Sequence, residues 1–81
     1  MSIWVYISLF GDYHNTTEDV GVKPFPDRAG AIAYFNEELI RDINDGTLTP
    51  QEAQRYLNEM VIWGIVRTDY GTHEIRQLPF N

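Results

Sequence analysis

Hydrophobic positions along this chain change their period from segment to segment, and each change marks an element. Residues 3–10, Ile-Trp-Val-Tyr-Ile-Ser-Leu-Phe, are mostly β-branched or aromatic and run into Gly11-Asp12, which predicts a strand. By the two-residue period, Ile3, Val5, Ile7 and Leu9 share one face, and Trp4, Tyr6, Ser8 and Phe10 share the other. The aliphatic face is expected to pack on helices, which leaves the aromatic face needing another cover. Residues 11–17, Gly-Asp-Tyr-His-Asn-Thr-Thr, read as a loop. Residues 18–23 predict a short edge strand closing a hairpin with the first, weakened by Gly21 and Pro24.

A period near 3.6 takes over after Pro24-Phe25-Pro26. Asp27 is a good N-cap, and Ile32, Phe35, Leu39 and Ile43 recur at helical steps with Ala29, Ala33 and Ile40 beside them. The opposite side of this helix, which runs to about Asn44, carries Glu37, Glu38, Arg41, Asp42 and Asp45. Asp45-Gly46 closes it. Thr49-Pro50-Gln51-Glu52 is a capping box with proline at the first helical position, flanked by Leu48 and Ala53 as a hydrophobic staple. The second helix starts at Pro50 and uses Ala53, Tyr56, Leu57 and Met60, after which residues 61–66 read as a strand. A loop at Thr68-Asp69-Tyr70-Gly71 leads to a last strand over 72–78. The prediction is an α+β fold of order β(β)ααββ, with an antiparallel sheet of three or four strands and two helices on one face.

Length adds that 81 residues form one domain, spanning 1–81, with a single thin core. The absence of cysteine excludes disulfides, thiol nucleophiles and thiolate metal sites. No basic n-region precedes an apolar run at the N-terminus, and no apolar run approaches the roughly 20 residues that cross a bilayer, so a cytoplasmic protein without membrane contact is expected. A net charge of -6 argues against direct nucleic-acid binding, which needs a basic face.

Few residues carry chemistry. Ser2 and Ser8 sit in no nucleophile turn, and the glycines form neither a phosphate loop nor a dinucleotide fingerprint. Adjacent acids such as Glu18-Asp19 and Glu37-Glu38 point to different sides of an element and do not make a general acid/base pair. No enzyme activity and no cofactor are expected. Asp12 and His14, two apart in one loop, form the best polar cluster for a metal ion or small ligand, although such a stretch is also ordinary turn chemistry. His73 reads as a half-exposed strand residue.

Charge is distributed unevenly. Residues 1–45 hold eight acids and three bases, and residues 46–81 hold four acids and three bases. The acids gather at Asp12, Glu18 and Asp19, and on the first helix at Glu37, Glu38, Asp42 and Asp45. Such clusters steer a basic partner inward over about 8–10 Å at physiological salt. Trp4 and Tyr6, on a sheet face without helices, add an aromatic contact surface or else lie in a second small core.

In length, acidity and layout the chain resembles the short proteins of bacteriophages and mobile elements, anti-CRISPR inhibitors among them. The resemblance implies a stoichiometric inhibitor that docks on a nucleic-acid-binding defence complex by presenting acids where phosphates would sit. Three readings stay open. The first is a protein-binding module with an acidic docking face for a basic protein surface. The second is a homodimer or larger homo-oligomer using the aromatic sheet face. The third is a metal- or ligand-binding protein centred on Asp12 and His14.

Overall fold

The computed structural model describes residues 2–10, 19–68 and 71–79. Asp12, His14 and Glu18 lie outside the described residues, as does the side chain of Asp19. The hydrophobic pattern gives four strands and two helices: β1 (Ser2–Phe10), β2 (Asp19–Phe25), α1 (Arg28–Asn44), α2 (Pro50–Trp63), β3 (Ile65–Thr68) and β4 (Gly71–Pro79). The strands form one antiparallel sheet in the order β2-β1-β4-β3. Proline is tolerated in β2 because this is an edge strand, where one side of the backbone has no ladder to donate to.

Helix ends follow the sequence signals. Asp27 caps α1, its carboxylate accepting from the Gly30 amide at 2.7 Å. Thr49 and Glu52 close the capping box of α2, with Thr49 Oγ1 accepting from the Glu52 amide and Glu52 Oε1 from the Thr49 amide. At its other end α2 runs further than the sequence suggests. Val61, Ile62 and Trp63 are helical rather than the start of a strand. The stop is Gly64, whose φ of +73° places it in the left-handed region that other residues enter at a cost. Its carbonyl accepts from the Ile75 amide at 2.8 Å, so the helix terminus is tied directly to β4.

The sheet is oriented opposite to expectation. Its aromatic face meets the helices: Tyr6 is buried in a core with Ala31, Phe35, Leu39, Ala53, Met60, Val66 and Ile75, and Trp4 and Phe25 pack against that core. Tyr6 and Trp4 are therefore core residues and not an exposed contact surface. The physical reason is area. A ring removes some 150–250 Å² from water, more than an Ile or Val, and the alanines at 31 and 53 make room for rings beneath the helices. The Tyr6 hydroxyl keeps a partner in His73. The aliphatic face of β1 points away from the helices, with Ile3, Ile7 and Leu9 partly or largely exposed and Val5 buried between its register partners Pro24 and Arg76. Among the described residues, no helix is long and apolar enough to cross a membrane.

Candidate functional site

Tyr34, Glu38 and Asp42 fall four residues apart on α1 and so form one stripe beside the buried stripe of Ala31, Phe35 and Leu39. The acidic stripe is half-buried and lines a cavity of 440 Å³ between the helices and the sheet. Tyr6, Ser8 and His73 contribute from the strands, and Glu52 and Tyr56 from α2. Thr47 and Leu48 also line it. Their amides both donate to the Asp42 carbonyl, at 2.9 and 3.2 Å, which folds the connection between the helices back onto the acidic stripe. A cavity of this size falls within the range that takes small molecules or a long side chain.

The lining combines rings and carboxylates. Tyr6 meets Tyr34 edge-to-face at 5.2 Å between centroids, and Phe35 lies 5.4 Å from the His73 ring. Glu38, Asp42 and Glu52 supply three carboxylates, and no lysine or arginine is among the lining residues. Arg41 pairs with Glu38 at 3.3 Å, but its side chain is largely exposed, so the pair contributes little. Outside the cavity, Lys23 Nζ sits 4.4 Å from the centre of the Tyr34 ring, so the chain itself already places an ammonium on one of these aromatics.

The titrating groups respond to this setting. Burial raises the Asp42 carboxyl above the usual range, and the charges of Glu38 and Asp45 raise it further against smaller opposing effects of His73 and Arg41. Tyr6 is pushed well above its ordinary value, first by burial and then by Glu38. The Tyr6 hydroxyl, held protonated, shares a hydrogen bond with His73 Nδ1, and the imidazole tautomer sets which of the two donates. Burial lowers the pKa of His73, while Asp42 and Glu38 pull it up less strongly.

This arrangement gives a pH dependence with a definite sign. Because the folded pKa of His73 lies below 6.5, the unfolded chain takes up the proton first as pH falls. Stability associated with this group is complete above pH 6.5 and is lost as pH falls through the lower folded value. Asp42 acts oppositely, since a raised carboxyl favours the folded state below its unfolded pKa and withdraws that favour as pH rises through the folded one. Urea denaturation at pH 7.5 and pH 6 is expected to show a loss that shrinks in His73→Gln. An unchanged slope in that variant would mean that another group titrates.

Ser8 faces the cavity directly opposite His73 in register. Its Oγ lies 2.7 Å from where a Cβ on Gly21 would stand, so the hydroxyl leans toward β2 and away from β4. Among the described residues, no group of three His, Asp or Glu side chains is placed to hold a metal ion.

Of the residues singled out from sequence, Glu38 and Asp42 reach the cavity, while Glu37 and Asp45 stay on the exposed outer side of α1. Tyr6 reaches it as part of the core rather than as an open surface, and Trp4 does not line it. Tyr34 was not singled out from sequence, and Glu52, Tyr56 and His73 were read there only as a capping residue, a helix-packing residue and a half-exposed strand residue. The four-residue spacing of Tyr34, Glu38 and Asp42 was the available signal for the first of these. Compared with protein-family models, curated proteins and solved structures, the chain matches none.

Proposed function

We propose that the protein is a non-enzymatic binding module that takes a cationic side chain, lysine above all, from a basic protein surface into the acidic, tyrosine-lined cavity. The observation that carries this reading is the convergence of Glu38, Asp42 and Glu52 with aromatic rings around a cavity whose lining has no lysine or arginine. An ammonium entering there would meet ring faces and carboxylates together, and it would add positive charge beside the half-buried Asp42, whose ionised form burial and Glu38 disfavour. The exposed Glu37 and Asp45 then act at longer range, steering the partner toward the cavity. Nucleic-acid-binding complexes present dense lysine and arginine surfaces, so docking of this kind on such a complex would cover its nucleic-acid track and inhibit it stoichiometrically.

Titrating the isotope-labelled protein with a lysine-rich peptide, and separately with the same peptide acetylated on its lysines, tests the reading. Acetylation removes the charge and keeps most of the stem. Shifts centred on Tyr34, Tyr56 and His73, weakened by salt and absent with the acetylated peptide, are expected. Equal response to both peptides, or shifts confined to the far side of the sheet, would refute a cation site.

A further inference from the structure

Among the described residues no helix packs on the outer face of the sheet, and one half of that face is apolar. Register places Ile3, Val5, Ile7 and Leu9 of β1 on it beside Val22 and Pro24 of β2 and Leu78 of β4. Val22 is 62% exposed and Leu78 40%. Its charged residues are confined to the other half: Glu74 and Arg76, which pair at 2.8 Å, and Arg67. From this face we infer that two copies of the chain pack face to face through their sheets, forming a β-sandwich dimer with the helices outside.

Three features single out a second copy as the occupant. Strands of 9, 7, 9 and 4 residues, at about 3.3 Å rise and 4.8 Å spacing, cover on the order of 450 Å² per copy in flat projection. Two copies together therefore offer about 900 Å² in projection, close to the roughly 1,000 Å² that a specific interface needs. The second feature is charge. A chain of net charge -6 ought to repel its copy, yet among the described residues this face carries two arginines against one glutamate. Asp27, Glu37, Glu38, Asp42, Asp45, Glu52 and Glu59 all belong to the helix layer. Face-to-face pairing is therefore the approach that turns the acidic sides outward. The third is the layout within the face. A two-fold axis running across the strands lays each strand over its own copy, so the whole face is buried, with the aliphatic half against itself and Glu74, Arg76 and Arg67 toward one border.

Pairing by strand edges is less suited to this sheet. β2 carries Pro24, and β3 has only four residues, both of which blunt an edge. A different exposed patch, Val61, Ile62 and Trp63 at the end of α2, is the natural competitor and serves as the control.

Sedimentation equilibrium over a concentration series up to about 1 mM tests the inference. A monomer–dimer equilibrium is expected, with twice the 9.4 kDa chain mass at the upper end. Val22→Glu, at an exposed position that the monomer fold tolerates, should weaken it by about 100-fold or more, because it leaves an unpaired charge inside the contact. Trp63→Ala should leave it unchanged. Mixed labelled and unlabelled protein should give intermolecular NOEs among the methyls of Ile7, Val22 and Leu78, a readout that needs no substitution. A monomer at every concentration overturns the inference, and so does a dimer that survives Val22→Glu or dissolves in Trp63→Ala. None of these outcomes bears on the cation cavity, which lies on the opposite side of the sheet.

Discussion

Replacing Phe35 with alanine is expected to cost about 3–5 kcal/mol of folding stability. Phe35 is 1% exposed and is one of the largest fully buried side chains among the described residues. It stands where the two layers meet, 6.1 Å from the Tyr6 ring and 5.4 Å from His73. Truncation would leave a void that Tyr6 cannot collapse into while its hydroxyl remains bonded to His73. A domain of 81 residues holds about 4–12 kcal/mol in total, so this one change removes a large share of it. The lower urea midpoint, at unchanged slope, can be followed through Trp4, which packs on the same core. A cost below about 1 kcal/mol would mean that the layers close over the gap and that the core is looser than its packing implies.

The second large effect concerns binding. Reversing both cavity carboxylates, Glu38→Lys with Asp42→Lys, should weaken capture of a lysine-rich peptide by about 100-fold or more. Each reversal exchanges an attraction for a repulsion of roughly 1–2 kcal/mol at these partly screened distances. Folding should change far less, because burial already disfavours the Asp42 charge and both side chains are only half-buried. The matched control is Glu37→Lys with Asp45→Lys, which alters net charge equally on the same helix but outside the cavity. Calorimetric titration of the two double variants separates a localised site from a diffuse acidic field. Equal losses in both would remove the cavity from the explanation and leave only long-range steering.

The order of elements was legible because each has a strong local signature: the β-branched run of β1, the Asp27 and Thr49 caps, and Gly46 after the first helix. Two aspects were not. Both faces of β1 are apolar, so the two-residue period separates its faces without saying which one goes inward. The outcome depended on ring area, on the alanines opposite, and on a hydroxyl partner that is 67 positions away. Likewise Val61, Ile62 and Trp63 have strand-like side chains, but their helix already has its capping box and meets no obstacle before Gly64. The cavity was hidden for a related reason. Glu38 and Asp42 could be assigned to the first helix, but their position relative to Glu52, Tyr56 and His73 is set by tertiary packing alone. The second helix contributes its glutamate and tyrosine only because the Asp42 carbonyl anchors the connection that precedes it.

The placement of β1 and β4 bears on how the molecule is made. These strands come first and last in the order of elements, yet they are the two inner strands of the sheet, with Ser2 beside Pro79. A ribosome therefore releases β1, β2 and both helices before the strand that joins them exists. Until then β1 has only its hairpin partner, and Phe35 and Met60 have no Ile75 to close upon. Assembly must wait for synthesis of β4 and must then close a loop of nearly the whole chain, which sets a high contact order and slow folding for so small a protein. The same adjacency favours circular permutation, since a short linker between residues 2 and 79 would replace that long search with a hairpin, and new ends could open at Gly46, where an added Cβ would touch nothing.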